Sequence, residues 1–214
     1  MALSYPLIAS VFADKIGMLN VRWQLKRQDE ISGLGNGQIL AAELGPPLWM
    51  CEIELEPAYH EDADEIQALI EALDGSMNTF YMHSQWHKYP KLDPWGTILG
   101  SSTPTIHTVG ANMKSMRIQG LPNGYQLSVG DFLSFDYSGR RAFHRVVEAA
   151  TAATGGITGT FEIRPHFRTG VAVGQSITLK KAAMKAIIVP DSFDPGDIQA
   201  MMTTGMSFAC IQVP

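Results

Sequence analysis

Apolar and polar side chains alternate in two stretches of the first quarter of the chain. In residues 21–26 Val, Trp and Leu are separated by Arg, Gln and Lys, and in residues 49–56 every odd position is apolar. A period of two is typical of a β-strand that buries one face and exposes the other. The pattern therefore predicts two strands, the second of which presents Glu52, Glu54 and Glu56 to solvent or to a basic surface.

Residues 60–74 are predicted to form one amphipathic helix. Apolar side chains recur there at spacings of three and four, acidic side chains fill the first turn, and Gly75 follows the last turn. Acids favour the positive end of the helix dipole, and glycine is a common residue just beyond a helix. The apolar positions are Ala63, Ile66, Leu69, Ile70 and Leu73.

From about Thr105 onward, short strands are separated by glycine-marked turns. Gly130 and Gly174 each lie in a turn of the form apolar–x–Val–Gly that leads into a strand. Short strands at this spacing are typical of a small barrel or sandwich. The Ala/Thr/Gly-rich stretch 149–159 predicts an exposed, flexible hairpin tip. The clearest strands are 132–137, 142–147, 160–164 and 176–180.

The end of the chain returns to longer apolar runs. Residues 186–189 and 207–213 are strand-like, and a final apolar strand is expected to dock into an earlier sheet. We therefore predict a mainly β fold with one short helix. Residues 1–98 plus 182–214 would form a discontinuous β-sandwich domain, and residues 99–181 an inserted small β-barrel or sandwich domain.

The low charge content indicates that partner molecules cover part of the surface, with a sparsely charged monomer as the alternative. Only 17% of the 214 residues are charged, against roughly 25% in ordinary soluble proteins. Residues 1–98 contain six basic and fourteen acidic side chains (net −8), and residues 99–214 contain ten and seven (net +3). This asymmetry suits head-to-tail contacts between copies and is equally compatible with chance. A chain of net charge −5 is not expected to bind nucleic acid through counterion release.

We expect neither a membrane span nor a secretion signal. No stretch approaches the roughly 18 apolar residues of a membrane helix, and the N-terminus lacks a basic-then-apolar pattern. Cys51 and Cys210 each lie in an apolar run, which predicts two buried free thiols. The chain is expected to stay in a reducing, aqueous compartment until assembly, without membrane insertion.

The sequence carries no enzyme motif. It lacks a nucleophile elbow, a phosphate-binding loop, a dinucleotide fingerprint and paired CxxC motifs. His83 and His87 have a spacing that would allow zinc binding on a helix, but their surroundings are strand-like and the glutamate of HExxH is missing. We predict no catalytic residue, no cofactor and no metal. A basic cluster, interpreted as solvated or facing an acidic partner rather than nucleic acid, consists of Arg140, Arg141 and Arg145 around Phe143.

Two loops are candidates for contacts between copies. One is glycine-rich and uncharged, the other is rich in Trp and Pro, and a monomer core explains neither well. The aromatic side chains of the second loop, Trp86, Tyr89 and Trp95, allow an alternative function, a stacking platform in a small-ligand or carbohydrate-binding module. The candidate contact residues are Gly33, Leu34, Asn36, Trp86, Tyr89 and Trp95.

Several segments, in this order, resemble tail-tip proteins of long-tailed bacteriophages and related prophages, most closely the distal tail protein. Together they span most of the chain, and the resemblance lies in their order more than in any one motif. The segments are LWMCEIELE (48–56), ALDG (72–75), NTF (78–80), SVGDF (128–132), FHRVV (143–147) and MTTGMSF (202–208).

The resemblance implies a β-sandwich ring-former that carries an inserted or appended small β-barrel. It implies a ring, six copies in number, that joins the tail tube protein to the hub and tip proteins of the virion and is assembled in the bacterial cytoplasm. DNA would pass through the ring without specific binding. The distal ring, the tube terminator and the hub are the tail positions left open.

Acidic side chains suit the wall of such a channel, because like charge keeps DNA from adhering. The sequence offers two acidic groups for this wall, one on the strand 49–56 and one in the first turn of the helix. The candidate residues are Glu52, Glu54, Glu56, Glu61 and Asp62.

Overall fold

The computed structural model describes residues 3–214. Strands account for 44% of the residues and the single helix for 6%, so the predicted mainly β fold is confirmed. The elements of the first half are β1 (Met18–Gly33), β2 (Ile39–Leu55), β3 (Ala58–Tyr59), α1 (His60–Glu71), β4 (Phe80–His83), β5 (Thr105–Val109) and β6 (Ser115–Gln119). Those of the second half are β7 (Gln126–Leu127), β8 (Phe132–Tyr137), β9 (Arg140–Val146), β10 (Ala150–Thr151), β11 (Phe161–Arg164), β12 (Ile177–Thr178), β13 (Ala183–Ile188), β14 (Asp197–Ile198), β15 (Met202–Thr204) and β16 (Ser207–Gln212).

A five-stranded antiparallel sheet organises the two ends of the chain, in the order β1-β2-β16-β13-β4. The last strand, β16, pairs with both β2 and β13, as expected for a terminal apolar strand. In β2 the alternation predicted for 49–56 is confirmed, because Trp49, Cys51, Ile53 and Leu55 are all at most 2% exposed.

The inner face of this sheet is covered by the helix and by the N-terminal segment. Helix α1 contributes Ala63 and Ile70 to the core, and residues 7–16 contribute Leu7, Phe12 and Ile16. The helix ends three residues earlier than predicted, and Asp74 and Gly75 then adopt left-handed φ angles of 51° and 67° that turn the chain away. A small sheet, β14-β15-β3, lies beside it.

The middle of the chain forms a nearly closed barrel. Its six strands have the order β12-β8-β9-β11-β6-β5. The two end strands are brought together where Thr105 bridges Ser176 and the backbone N–H of Ile106 donates to the carbonyl of Gln175 at 2.9 Å. Gly130 and Gly174, the paired turn glycines of the sequence, both have positive φ, at 96° and 86°. The interior is filled by the core cluster centred on Ile118, Phe135, Phe161 and Ile163.

The exposed tip predicted for 149–159 is wrong in part. Ala150, Ala152 and Thr158 are 9%, 1% and 0% exposed. The reason is that β10 pairs with β7 and Ala152 bridges Thr158, which folds the stretch against the barrel. Alanine and threonine are small enough to pack there, so a composition typical of a loop also suits a tightly packed edge.

Two stacked phenylalanines connect the barrel to the five-stranded sheet. Phe132 and Phe143, on β8 and β9, stack with centroids 4.8 Å apart and belong to the core of the sheet rather than that of the barrel. Trp23 lies 5.5 Å from Phe143, and the indole Nε1–H of Trp49 donates to the carbonyl of Phe143 at 3.0 Å. The strands of the five-stranded sheet come from residues 1–98 and 182–214, and those of the barrel from residues 99–181. The division into two separate domains stays a prediction.

Candidate interaction surfaces

The outer edge of β1 is open over its whole length. This strand is the first of the five-stranded sheet and pairs only with β2 among residues 3–214. The opposite edge of the sheet, β4, is partly covered, because the backbone N–H of Tyr81 donates to the carbonyl of Leu7 at 2.9 Å. An unpaired strand edge offers a row of backbone donors and acceptors to another chain.

The far half of the β1–β2 hairpin, residues 26–46, projects from the sheet; we call it the arm. All of its residues are exposed except Gly45, which is half-buried. No residue from 31 to 42 is charged. Several large apolar side chains of the arm are exposed to solvent. The fractional exposures are 70% for Ile31, 43% for Leu34, 71% for Ile39, 55% for Leu40 and 67% for Leu44.

Apolar side chains lie on both faces of the arm. Ile31 is paired with Ala41, and Gly33 with Ile39, so Ile31 and Ile39 share one face. Leu40 lies on the other face, because neighbouring residues of a strand point to opposite sides. A hairpin of this kind is covered completely only when it lies between two other surfaces. Of the predicted contact residues, Gly33, Leu34 and Asn36 form its exposed tip.

The second candidate loop, predicted as 86–95, lies within the segment 84–104 between β4 and β5 and presents a tryptophan on a rigid turn. The buried carboxylate of Asp93 accepts hydrogen bonds from the backbone N–H groups of Ile98 and Leu99 at 3.0 and 2.9 Å. Burial and the Asp93 charge raise the pKa of Tyr125, whose hydroxyl lies 3.5 Å from the same carboxylate. Trp95, two residues after Asp93, is 79% exposed. Its backbone position is therefore fixed although its indole contacts solvent.

The three predicted aromatic contacts of this loop differ in exposure. Trp86 is 73% exposed, whereas Tyr89 is half-buried with its ring against Gly96. No aromatic ring pair joins Trp86, Tyr89 and Trp95 within residues 3–214, so the three do not form one continuous platform there. Sequence reasoning missed Asp93 as the residue that holds the loop, although Asp-Pro-Trp-Gly is a recognisable turn sequence.

The candidate acidic residues fall into two groups on the surface. Glu52 and Glu54 line an open groove of about 470 Å³ on the outer face of the five-stranded sheet, where Arg22 approaches Glu52 at 3.5 Å. Glu56 and Asp62 line a different groove, beside α1. The structure thus separates the strand glutamates that the sequence places in one row.

The groove beside α1 has an apolar floor and an acidic rim. Its volume is about 410 Å³, and its floor includes the half-buried side chains of Ile66 and Leu69. Glu65 on the rim is paired with Lys15 at 2.6 Å. Glu56 and Asp62 are exposed and have no ion-pair partner among residues 3–214.

The two histidines considered for zinc do not share a site. His83 is fully buried, with its Nε2 3.0 Å from a carboxylate oxygen of Asp14, which Lys181 also contacts at 2.8 Å. His87 is exposed, and its ring packs at 6.2 Å from Phe132. Within residues 3–214, no three His, Cys, Asp or Glu side chains converge in a way that could hold a metal ion.

Two of the three clustered arginines are half-buried against their own chain, which corrects the interpretation of one solvated or partner-facing patch. Arg141 lies over the ring of Tyr81 at 5.0 Å, and its Nε donates to the carbonyl of Ala183 at 2.9 Å. Arg145 lies over Trp49 at 4.8 Å, and burial lowers its pKa. Arg140 alone of the three is exposed. The reason is that Arg141, Phe143 and Arg145 occupy every second position of β9 and therefore share the face that meets the five-stranded sheet.

The two cysteines lie opposite each other inside the five-stranded sheet. Cys51 of β2 is paired with Cys210 of β16, and both thiols are free and buried, as predicted. A hydrogen bond between the thiols, together with burial, raises the pKa of Cys51. A thiol that keeps its proton is a poor nucleophile, so the pair contributes packing rather than reactivity.

No helix of the described part of the chain is long and apolar enough to cross a membrane. Comparison with known proteins gives no assignment, since neither a protein-family model nor a curated protein matches this sequence.

Proposed function

We propose that this chain is a structural subunit that closes into a ring with copies of itself at the tip of a phage tail. The observation that carries the proposal is the open edge of β1, which continues into an arm with apolar side chains on both faces. Soluble monomers protect long strand edges, and obligate partners commonly bury more than roughly 2,000 Å² between them. The edge and the arm together supply a surface of this kind.

A ring, rather than a dimer, fits the difference between the two edges of the sheet. The β1 edge is long and open, whereas the β4 edge is short and partly paired with residue 7. An interface between unlike surfaces is head-to-tail, and it closes into a ring when each step adds the same rotation. The resemblance to distal tail proteins gives six as the number of copies. Tail tube and hub proteins are then the neighbours along the axis, and DNA passes through the centre.

In this role the protein has no catalytic step. Assembly takes place in the cytoplasm of the bacterial host, and the finished ring resides in the virion. The paired free thiols suit this route, because they need no oxidising compartment.

The proposal is tested by sedimentation velocity and native mass spectrometry of the purified chain, followed by electron microscopy of the largest species. We expect a closed assembly of six copies with a central hole. A chain that stays monomeric at its solubility limit contradicts the proposal. A two-fold dimer paired edge to edge through β1 also contradicts it, because such a pairing leaves no surface for further copies.

Carbohydrate or small-ligand binding is the second candidate, and the rigid, exposed indole of Trp95 favours it. Aromatic faces bind the apolar side of sugar rings, and a fixed backbone reduces the entropy lost on binding. A glycan array probed with the monomeric chain tests this candidate. Binding that is lost in Trp95→Ala supports it.

A further inference from the structure

The loop 84–104 combines aromatic side chains with unpaired positive charge. Its only acidic residue, Asp93, is buried. Lys88 and Lys91 belong to the same loop and neither has an ion-pair partner among residues 3–214, but the Nζ of Lys91 donates to the carbonyl of Val129 at 2.6 Å. Besides the two tryptophans, the loop exposes Leu92 by 52% and Ile98 by 57%. An exposed surface that combines several large apolar side chains with lysines is typical of an interface core with a basic rim.

The groove beside α1 has the complementary chemistry. Ile66 and Leu69 give it an apolar floor, and Glu56 and Asp62 leave two unpaired negative charges on its rim. A bulky apolar group that enters the groove removes the floor from water. Lysines flanking that group would meet the two carboxylates, and charge pairs at the rim of an interface steer association and fix its register.

The arm is a poorer occupant for this groove than the loop. The charged residues of the arm lie near its base, where Asp29, Glu30 and Glu43 outnumber Lys26 and Arg27. Its tip carries no charge that could pair with the carboxylates of the groove. The loop supplies both apolar and basic groups on a backbone that Asp93 holds in place, which lowers the entropic cost of docking.

We propose that the loop 84–104 of one copy docks in the α1 groove of the next copy, with Trp95 on the floor of the groove and Lys88 or Lys91 at its acidic rim. The inference rests on the proposed ring, and it names a second contact beside the β1 edge. Because the loop and the groove are different surfaces of one chain, the contact is head-to-tail and repeats around a ring.

A charge exchange tests the contact in the full-length chain. Lys91→Glu and Asp62→Lys are each expected to weaken self-association on the order of tenfold, and the double variant is expected to restore it, because opposite charges meet again. Trp95→Ala is expected to weaken it at least as much, since tryptophans at interface centres carry a large share of the binding energy. The matched control is Glu61→Lys, the same change in the same helical turn but outside the groove.

Cross-linking in a mixture of two variants tests proximity directly. Thr97→Cys is next to the tryptophan turn, Tyr59→Cys lines the groove, and the native thiols are buried. A bifunctional maleimide should join Thr97→Cys chains to Tyr59→Cys chains. Arg140→Cys, at the exposed start of β9, should not be joined to Tyr59→Cys.

The outcomes separate this inference from the ring itself. If the ring forms and neither the charge changes nor Trp95→Ala affects it, the docking inference is wrong and the ring stands. If the unaltered chain forms no oligomer, both are wrong. If Trp95→Ala assembles fully but no longer binds glycans, the loop binds carbohydrate and the docking inference is wrong. Failure of the double variant to recover while it remains folded, checked by circular dichroism, also overturns it.

Discussion

The barrel and the five-stranded sheet treat their strand edges in opposite ways. In the barrel the end strands β5 and β12 meet where Thr105 bridges Ser176, so part of each edge is paired within the chain. In the five-stranded sheet the edge of β1 has no neighbour among residues 3–214 and continues into an exposed arm. A closed sheet needs no partner, whereas an open edge is a template for one. Under the proposed function, a neighbouring copy would complete the five-stranded sheet, whereas the barrel is nearly closed within one chain.

The largest expected effect comes from charging the arm. Ile31 and Ile39 are 70% and 71% exposed, so changing both to Asp removes little packing within the monomer. In an assembly the same positions would be buried, and unpaired carboxylates there are costly. We expect Ile31→Asp with Ile39→Asp to abolish oligomers in sedimentation velocity while the thermal midpoint of the monomer stays unchanged.

The barrel surface provides the matched control for the arm. Val173 is 62% exposed on the barrel side, so Val173→Asp should change neither assembly nor stability. If the arm variant unfolds the monomer instead, the arm packs on its own chain. If its oligomers persist, the arm lies outside the interface.

A second prediction concerns how far the two regions fold together. Phe161 lies in the barrel core, and Phe143 lies where the barrel meets the sheet; both are 0% exposed. Truncating either to Ala should lower the free energy of unfolding by about 3–5 kcal/mol. Phe161→Ala should destabilise the barrel alone, whereas Phe143→Ala should destabilise both regions, because it removes the stacking with Phe132 and the contact with Trp23.

Hydrogen exchange resolved by region measures this difference. Phe161→Ala should raise exchange in β6 and β11, and Phe143→Ala should raise it in β2 as well. Equal effects of the two variants on β2 would show that the chain unfolds as one unit. The comparison between a self-contained barrel and a separate sheet would then fail.

The acid sensitivity of the barrel gives a third prediction. Burial lowers the pKa of His144 to about 4, and its Nδ1 lies 2.9 Å from the carbonyl oxygen of Pro165. The folded pKa is below the unfolded value near 6.5, so the stabilisation is fully present above about pH 6.5 and is lost as the pH falls towards 4. Over that window the free energy of unfolding should fall by about 3 kcal/mol more than it does in His144→Phe.

Denaturant titrations at a series of pH values measure the slope of the free energy of unfolding against pH. His87 is exposed, so His87→Phe should leave the slope as it is in the unaltered chain. A pH dependence that survives in His144→Phe would place the acid-sensitive group elsewhere in the chain.

The sequence predicted elements whose side chains alternate and missed contacts between distant parts of the chain. Trp49 to Leu55 were predictable as a strand because burial imposes a period of two. The arm was predicted only as a glycine-rich loop, since its strands are held by backbone pairing and no core-facing pattern marks them. Arg145 looked like surface charge because its partner, Trp49, is remote in sequence and cation–π contacts leave no local periodicity.

The candidate surfaces were predictable in position but not in relation to one another. The exposed Trp86 and Trp95 and the glycine tip were all identified from composition, and the structure places them on the surface. The separation of Glu52 from Glu56 was not foreseeable, because it depends on where the helix packs after β2 ends. Composition identifies exposed apolar and charged residues, but only the tertiary structure shows which of them share one surface.

The smallest expected effect concerns Glu52 and Glu54, which lie on the outer face of the five-stranded sheet. The Arg22–Glu52 pair is 3.5 Å long, with side chains 75% and 50% exposed, and such a pair contributes about 0–1 kcal/mol. Glu52→Gln with Glu54→Gln should therefore leave folding and assembly unchanged. If this face lines the proposed channel, the assembled variant should retain duplex DNA at low salt and release it as salt rises, because electrostatic repulsion has been removed. Gel-shift measurements on assembled protein, compared with Glu61→Gln, identify the face. Retention by the helix variant alone would move the channel wall to α1.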